Sequence, residues 1–286
     1  MRIHVGNLGF ESPPGFRDVT GYSFKAPGGD ELCEVGGGPL PVGVRDLDGL
    51  VADRRSDLED GMRDSAIVEG TSQTVLAGLP AKTLTIGILA ERARVRERWT
   101  LALDTRETYL QISYSSRADD DAAEARARHV VASASFSLPA TPAPEGYVRR
   151  WTGKLWVDIP SHLAPPRSYQ FVSTDEKTRL DVAFVTEANE PSIDLEIEQD
   201  TTLGEEVRGQ ASSAVATPHL TGTLHSYHLT RTEDEILIDE LVQRAHLRRD
   251  GAPVAHVSGR APSVDAVELE AAIQALLSSI SAVEGA

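Results

Sequence analysis

Three histidines that lie close together in the sequence could bind a metal ion: His219, His225 and His228. Imidazole is a common ligand of Zn²⁺, but a site needs several ligands that face one point. Residues three apart in a strand face opposite sides, so His225 and His228 cannot readily share an ion there. Because no cysteine or carboxylate cluster completes the set, the sequence predicts surface histidines, with no metal and no other cofactor.

Two other features have the residue types of a site but lack its pattern. Cys33, the single cysteine, has no histidine nearby in the sequence, so we do not expect a nucleophile. The loop Gly36–Pro39 lacks the Lys and the Ser or Thr of a phosphate-binding loop. Acyl-transfer, zinc and dinucleotide signatures are also missing. The sequence therefore predicts that the protein is not an enzyme, although a site assembled from distant residues remains an alternative.

A row of arginines recurs at every second position: Arg92, Arg94, Arg96 and Arg98. In a strand, this spacing places all four side chains on one face. That face either is solvated or pairs with the acidic residues between 233 and 240. Exposed ion pairs contribute only about 0 to 1 kcal/mol, which favours the solvated face.

Length and charge limit the classes of function. The chain has 286 residues and a net charge of −16, with 40% hydrophobic and 25% charged residues. This length suits two domains. The negative charge disfavours nucleic acid as a partner, because affinity for a phosphate backbone comes mainly from Lys and Arg.

The chain lacks the apolar runs that mark membrane or export segments. No stretch approaches the roughly 18 to 20 apolar residues of a membrane span. The first residues lack the apolar run of about 7 to 15 residues that a secretory signal has. The single cysteine fits a reducing compartment. The sequence therefore predicts a cytoplasmic protein that is not embedded in a membrane.

The chain repeats one order of pattern elements with a period of about half its length. Three pairs of segments keep nearly one register, at offsets of 146, 147 and 146 residues. The pairs are Phe10–Pro14 with Trp156–Pro160, Tyr22–Phe24 with Tyr169–Phe171, and Val130–Val131 with Leu276–Leu277. A period of this kind predicts two copies of one domain, at 1–138 and 147–286, joined by a Pro-rich linker at 139–146.

Local patterns place the main elements. Spacing, acidic starts and breakers predict helices at 47–62, 119–136 and 265–283, and a weak helix at 203–216 that Pro218 ends. Most of the remaining apolar segments are predicted as strands, with a hairpin turn at 104–107. The fold class that these patterns favour is α+β.

The opening of each half resembles a known family. Gly6–Asp18 with Tyr22–Phe24, and Gly153–Pro160 with Tyr169–Phe171, resemble the start of DcrB-like domains, and the turn Gly78–Ala81 is similar to a recurrent feature of that family. The resemblance implies two tandem PsbP/DcrB-like domains, each an antiparallel sheet packed with helices, which together form a pseudo-dimer.

Members of this superfamily without a signal segment include the Eag chaperones of type VI secretion, which shield apolar helices of effectors. The resemblance therefore implies a cytoplasmic chaperone or adaptor that binds the hydrophobic N-terminal segment of a secreted effector. The binding positions that the resemblance implies are Tyr22, Phe24, Tyr169 and Phe171. The strand pattern adds the sheet candidates Leu84, Ile86, Ile88, Leu101, Leu103, Ile236 and Ile238. Core packing beneath the helices is the alternative for each of these residues. A scaffold of the same fold that binds a folded partner is the alternative function.

Overall fold

The computed structural model describes residues 2–5, 8–61, 66–90, 93–166, 168–184, 206–217, 220–233, 236–250 and 252–282. Antiparallel sheets dominate it, because strands make up 56% of the structure and helices 19%. The predicted α+β class, with helix-packed sheets in a pseudo-dimer, is therefore wrong. Among the described residues, no helix is both long enough and apolar enough to cross a bilayer.

The described residues form strands and three α-helices. In chain order the strands are β1 (Arg2–Val5), β2 (Leu8–Glu11), β3 (Phe16–Asp18), β4 (Tyr22–Lys25), β5 (Leu32–Pro39), β6 (Ala66–Leu76), β7 (Leu79–Ala90), β8 (Ala93–Leu103), β9 (Thr108–Arg117), β10 (Tyr147–Trp151), β11 (Trp156–Pro160), β12 (Ser168–Ser173), β13 (Arg179–Phe184), β14 (Glu206–Ala216), β15 (Thr221–Glu233), β16 (Ile236–Arg249), β17 (Ala252–Pro262) and β18 (Ser281–Ala282). The helices are α1 (Leu47–Gly61), α2 (Asp121–Ser133) and α3 (Ala266–Ser279).

Three predicted helices are confirmed, and one is wrong. The helices α1, α2 and α3 lie within a few residues of the predicted 47–62, 119–136 and 265–283. The predicted helix at 203–216 is instead strand β14 from Glu206 onwards. Its Val, Ser and Gly residues have low helix propensity, and pairing with β15 over its whole length decides the outcome.

The chain forms two compact units. Unit 2 is the continuous stretch 21–166, whereas unit 1 combines residues 1–20 with 167–286. The Pro-rich segment 139–146 therefore lies inside unit 2. The division into 1–138 and 147–286 remains a prediction from the sequence.

Unit 2 contains a six-stranded antiparallel sheet with the order β4-β5-β9-β8-β7-β6. On one face, α1 packs Leu50 against Leu84 of β7 and Leu101 of β8, all three fully buried. Helix α2 contacts β6 and β9 of the sheet and also β11. The Asp120 side chain caps α2 by accepting a 2.9 Å hydrogen bond from the Ala123 backbone N–H. The sheet thus separates two differently packed faces.

Unit 1 repeats this strand order in its seven-stranded sheet, β3-β12-β13-β17-β16-β15-β14. The strands β12, β13, β17, β16, β15 and β14 take the places of β4, β5, β9, β8, β7 and β6. Gly259 of β17 is required by close packing under α3, since a Cβ there would lie 2.5 Å from Leu269 Cδ1 and 2.7 Å from Leu180 Cδ2. A helix therefore covers one face of this sheet as well.

Each unit also has a β-hairpin beside its C-terminal helix. In unit 2, the hairpin β10–β11 follows α2 directly and packs against it. In unit 1, the hairpin beside α3 is β1–β2, which comes from the opposite end of the chain and pairs with β18. Strand β3 also joins the sheet of unit 1 by pairing with β12. The first twenty residues thus complete a unit whose other residues begin at 167.

Candidate functional site

A cleft of about 780 Å³ lies in unit 2 between α2 and the strands β6, β7 and β8. We call it the α2 cleft. Side chains on the sheet side include Ser72, Thr74, Thr83, Thr85, Thr100 and Arg98. The opposite wall is formed by α2 residues that include Glu124 and Arg128. The α2 cleft is therefore lined mainly by hydroxyl groups and charges where it meets the sheet.

Strand alternation produces this hydroxyl wall. In the register of the sheet, Thr83 lies opposite both Ser72 and Thr100, and Thr85 lies opposite Arg98. Opposed residues of paired strands share a face, so these side chains all point into the α2 cleft. The hydroxyls of Thr83 and Thr100 are 2.9 Å apart and hydrogen bond to each other. The wall can therefore offer donors and acceptors to a polar ligand.

Three arginines converge on one carboxylate at the α2 cleft. The Glu124 carboxylate lies 2.7 Å from Arg98 Nη2, 3.4 Å from Arg128 Nη1 and 3.7 Å from Arg96 Nη1. Arg96 also contacts Glu69 of β6 at 3.2 Å. Burial lowers the pKa of Arg98, an effect that Glu124 opposes and the two other arginines reinforce. We call Arg96, Arg98 and Arg128 the arginine cluster.

These contacts show where two of the four arginines in the row at 92–98 find their partners. Arg96 and Arg98 do share one face, but their carboxylate partners are Glu69 and Glu124 of the same unit. Arg94 is exposed, whereas Arg92 lies outside the described residues. The row is therefore not wholly solvated, because Arg96 and Arg98 pair with carboxylates of their own unit.

The edge of the sheet beside the α2 cleft is open. Among the described strands, β6 is the terminal strand and pairs only with β7. Most of its side chains are exposed, and the stretch Gly70–Leu76 contains no charged residue and no proline. The equivalent edge of unit 1 is β14, which is also exposed and is uncharged over Gly209–Ala216. Both edges begin with a bulge, at 68–70 and 208–211.

Most of the predicted binding surface lies in the core. The buried members are Tyr22, Phe24, Leu84, Ile86, Leu101, Tyr169 and Phe171, each 2% exposed or less. Ile88, Leu103 and Ile238 are partly buried, and the side chain of Ile236 lies outside the described residues. The alternative reading of core packing therefore describes the seven buried positions.

The predicted surface residues are also divided between opposite faces. In unit 2, the register connects Phe24 to Cys33 and Tyr114, on the face opposite Leu84 and Leu101. In unit 1, the register likewise places Phe171 and Ile238 on different faces of the sheet. Sequence patterns show that residues alternate but not which face each strand turns towards α2 or α3.

A buried carboxylate that the sequence analysis missed connects four parts of unit 2. Glu31 accepts two hydrogen bonds from Arg126, at 2.7 and 3.0 Å, and lies 2.8 Å from His162 Nε2. The Tyr114 hydroxyl donates a further hydrogen bond to it. Burial alone would raise the pKa of Glu31, but these hydrogen bonds outweigh burial and lower it. The distances of 83 to 131 residues between Glu31 and its partners explain why no local pattern revealed it.

Cys33 and the three histidines were considered in the sequence analysis as candidates for a nucleophile and a metal site. Cys33 is fully buried, and burial together with nearby carboxylates raises the pKa of its thiol. His225 and His228 face opposite sides of the sheet, as predicted, since they lie opposite Arg244 and Leu241. His225 instead lies near His246, with 5.9 Å between ring centroids, whereas His219 is outside the described residues. No described group of three ligand residues could hold a metal ion.

Glu97 of β8 lies on the face of the sheet opposite the α2 cleft. Its carboxyl group accepts a 2.6 Å hydrogen bond from Trp99 Nε1. Burial raises its pKa above the ordinary 4.5, and the charge of Glu34 adds to that effect. The charged form is therefore unfavourable in the folded protein at neutral pH. Glu97→Gln should raise Tm at pH 7 and leave it unchanged below about pH 4. Thermal unfolding at both pH values, with the exposed Glu107→Gln as control, checks this; a lower Tm at pH 7 would contradict it.

Comparison with known proteins shows similarity only to solved structures. No family model and no curated protein matches the chain. The apo structure of the immunity protein TplEi of type VI secretion from Pseudomonas aeruginosa is 11% identical, with a TM-score of 0.45, over 100% of this chain and 98% of that one. The structure of TplEi complexed with an "L" peptide is 11% identical, with a TM-score of 0.44, over 99% of this chain and 98% of that one. The matching chain of the Tle4–Tli4 complex is 12% identical, with a TM-score of 0.47, over 100% of this chain and 98% of that one. The chain is thus similar to structures from type VI secretion, and the resemblance to DcrB-like domains stays a prediction.

Proposed function

We propose that the protein is not an enzyme and acts by binding a partner protein, which pairs an extended segment with the strand edges β6 and β14. The observation that supports this most directly is that both edges are long and exposed and contain uncharged stretches, Gly70–Leu76 and Gly209–Ala216, at equivalent places. Unpaired edge strands present a row of N–H and C=O groups that another chain can pair with. Proteins that do not use such an edge usually protect it with charge or proline.

The α2 cleft supports the same proposal for β6. A strand added to β6 would extend the sheet, and alternate side chains of the added strand would then point to the same face as Ser72 and Thr83. That face carries the cleft of about 780 Å³. Main-chain hydrogen bonds would supply affinity, and the cleft would select side chains.

The class of partner that we propose is a type VI secretion effector, which the sequence resemblance implies. A chaperone for apolar helices is the narrower form of this proposal. It would need an apolar surface other than Tyr22, Phe24, Tyr169 and Phe171, because these residues are buried. Recognition of an extended segment needs no such surface.

Proline at neighbouring positions of β6 tests the edge. Backbone N–H groups of successive strand residues point alternately towards β7 and away from the sheet. Of Ser72→Pro and Gln73→Pro, one therefore removes a hydrogen bond within the sheet and the other removes an outward donor. The probe is a library of random nine-residue peptides displayed on phage, selected against the full chain.

We expect selected peptides to bind the wild-type protein and to lose at least tenfold in affinity for the folded proline variant that lacks the outward N–H. Circular dichroism identifies which variant remains folded. The matched control is the same pair of substitutions at Ser212 and Ser213 of β14, which should leave binding at β6 unchanged. Failure to select any peptide, or equal affinity for every folded variant, would refute binding at β6.

A further inference from the structure

The arginine cluster carries more positive charge than its partners neutralise. Arg96, Arg98 and Arg128 contribute three positive charges, whereas Glu69 and Glu124 contribute two negative charges. The chain as a whole has a net charge of −16, so a local positive excess is contrary to the general trend. The α2 cleft therefore has a charge preference that the overall composition does not predict.

The geometry leaves room for an additional carboxylate. Glu124 is shared by all three arginines, and each guanidinium has five N–H donors. Arg128 has 71% of its side chain exposed, so an incoming group can reach its remaining donors from solvent. Arg98 is only 11% exposed and lies in the cleft wall beside Thr85. Buried and accessible guanidinium groups are thus placed together with a hydroxyl.

We propose that the α2 cleft binds an acidic side chain, Asp or Glu, of the extended partner segment that pairs with β6. This inference rests on the proposed function, because β6 supplies the main-chain hydrogen bonds. The carboxylate would accept hydrogen bonds from Arg128, which it would share with Glu124, and the charge of Arg98 deeper in the cleft would add to the attraction. Charge-assisted hydrogen bonds from arginine to carboxylate are stronger than neutral ones and favour one orientation of the bound strand.

The position of the arginine cluster relative to β6 predicts which acidic side chain the α2 cleft prefers. Arg98 of β8 lies opposite Thr85 of β7, which in turn lies opposite Gly70 of β6, so Arg98 is two strands, about 10 Å, from the edge strand. Gly70 places no side chain on β6 at this point, and nothing lies within 4 Å of an added Cβ there. Arg128 is exposed and lies on the helix that contacts β6, so an acidic side chain entering over Gly70 would meet Arg128 first, and Glu reaches further than Asp.

The phage selection on the full chain tests this inference. We expect an enriched acidic residue at one position of the selected peptides. A synthetic peptide with that residue should bind at least tenfold more tightly than the same peptide with Gln, by fluorescence anisotropy. Its affinity should fall severalfold from low to high salt, because the contact is electrostatic and Arg128 is exposed.

Two variants give opposite results if the carboxylate contacts the cluster. Arg128→Gln should remove the preference for the acidic peptide, whereas Glu124→Gln should increase it severalfold by releasing the three arginines. Arg55→Gln is the matched control, since Arg55 forms a comparable exposed i,i+4 pair with Glu59 on α1. A purely structural role of the cluster would weaken binding in both cluster variants.

The outcomes separate the two proposals. If peptides bind at β6 without any acidic preference, this inference is wrong and the proposed function stands. If no peptide binds, both are wrong for β6. If Arg128→Gln keeps the preference for the acidic peptide, the carboxylate does not bind at the arginine cluster, and the inference is also overturned.

Discussion

Phe10→Ala is expected to destabilise unit 1 by about 3 to 5 kcal/mol, the range for removing a fully buried aromatic ring. Phe10 is fully buried, with ring centroids 5.5 Å from Tyr169, 6.1 Å from Phe171 and 6.0 Å from Phe184. Its loss would leave a cavity beneath the hairpin β1–β2. The effect should appear in residues 168–184 and in the sheet and helix that follow, although more than 150 residues separate them from position 10.

Hydrogen exchange followed by mass spectrometry can locate this effect. Peptides from 168–184 and 236–279 should lose protection in Phe10→Ala, whereas peptides from 21–166 should keep it. Phe136→Ala is the matched control, because Phe136 is 43% exposed and its removal should change stability by about 0.5 kcal/mol or less. Equal loss of protection in both units, or no loss in unit 1, would show that the first twenty residues do not complete unit 1.

Glu31→Gln is expected to destabilise unit 2 by about 2 to 4 kcal/mol. The substitution keeps the shape of the side chain but leaves Arg126 without its main anionic partner and replaces an acceptor with a donor. The expected value is below that of a fully buried ion pair, because 24% of the Arg126 side chain is exposed and solvent screens part of the charge. Denaturant unfolding of the full chain measures the change, with the exposed Asp30→Asn as control.

The effect of Glu31 should depend on pH in a defined direction. The pKa of Glu31 is lowered from the ordinary 4.5, so the folded protein favours the charged carboxylate. Its stabilising contribution is complete above about pH 4.5 and declines as the pH falls below that value. The difference in free energy of unfolding between wild type and Glu31→Gln should therefore become smaller as the pH falls from about 4.5 to 2. A difference that grows in acid would contradict this assignment.

Local patterns were sufficient for much of the secondary structure. The hairpin turn predicted at 104–107 is confirmed, because β8 and β9 pair from Leu103 with Tyr109 onwards. Alternation such as Thr83-Leu84-Thr85 was correctly read as a strand, since period-two patterns arise from a sheet with two different faces. The acidic start of α2 was also a reliable signal, and Asp120 caps that helix.

The remaining features depend on contacts between distant residues. The α2 cleft combines residues from β6, β8 and α2, and its charge excess arises only when Arg128 joins Arg96 and Arg98. The burial of Tyr22 and Phe24 depends on which face of the sheet α2 covers, and an apolar residue has the same pattern in a groove and in a core. The helix predicted at 203–216 was wrong for the same reason, because pairing with β15 determined the structure of β14.

The use of the first twenty residues to complete unit 1 has a consequence for synthesis on the ribosome. Residues 21–166 can fold as soon as they emerge, but β1, β2 and β3 must wait for strands and a helix that end near residue 279. At about 5 to 20 residues per second, this delay is roughly 10 to 50 s. During that time Ile3 and Phe10, which lie opposite each other in β1–β2 and are buried in the finished protein, lack the aromatic partners of Phe10 at 169, 171 and 184. Residues 1–20 are therefore the segment of unit 1 that most needs protection from aggregation while the chain is being made.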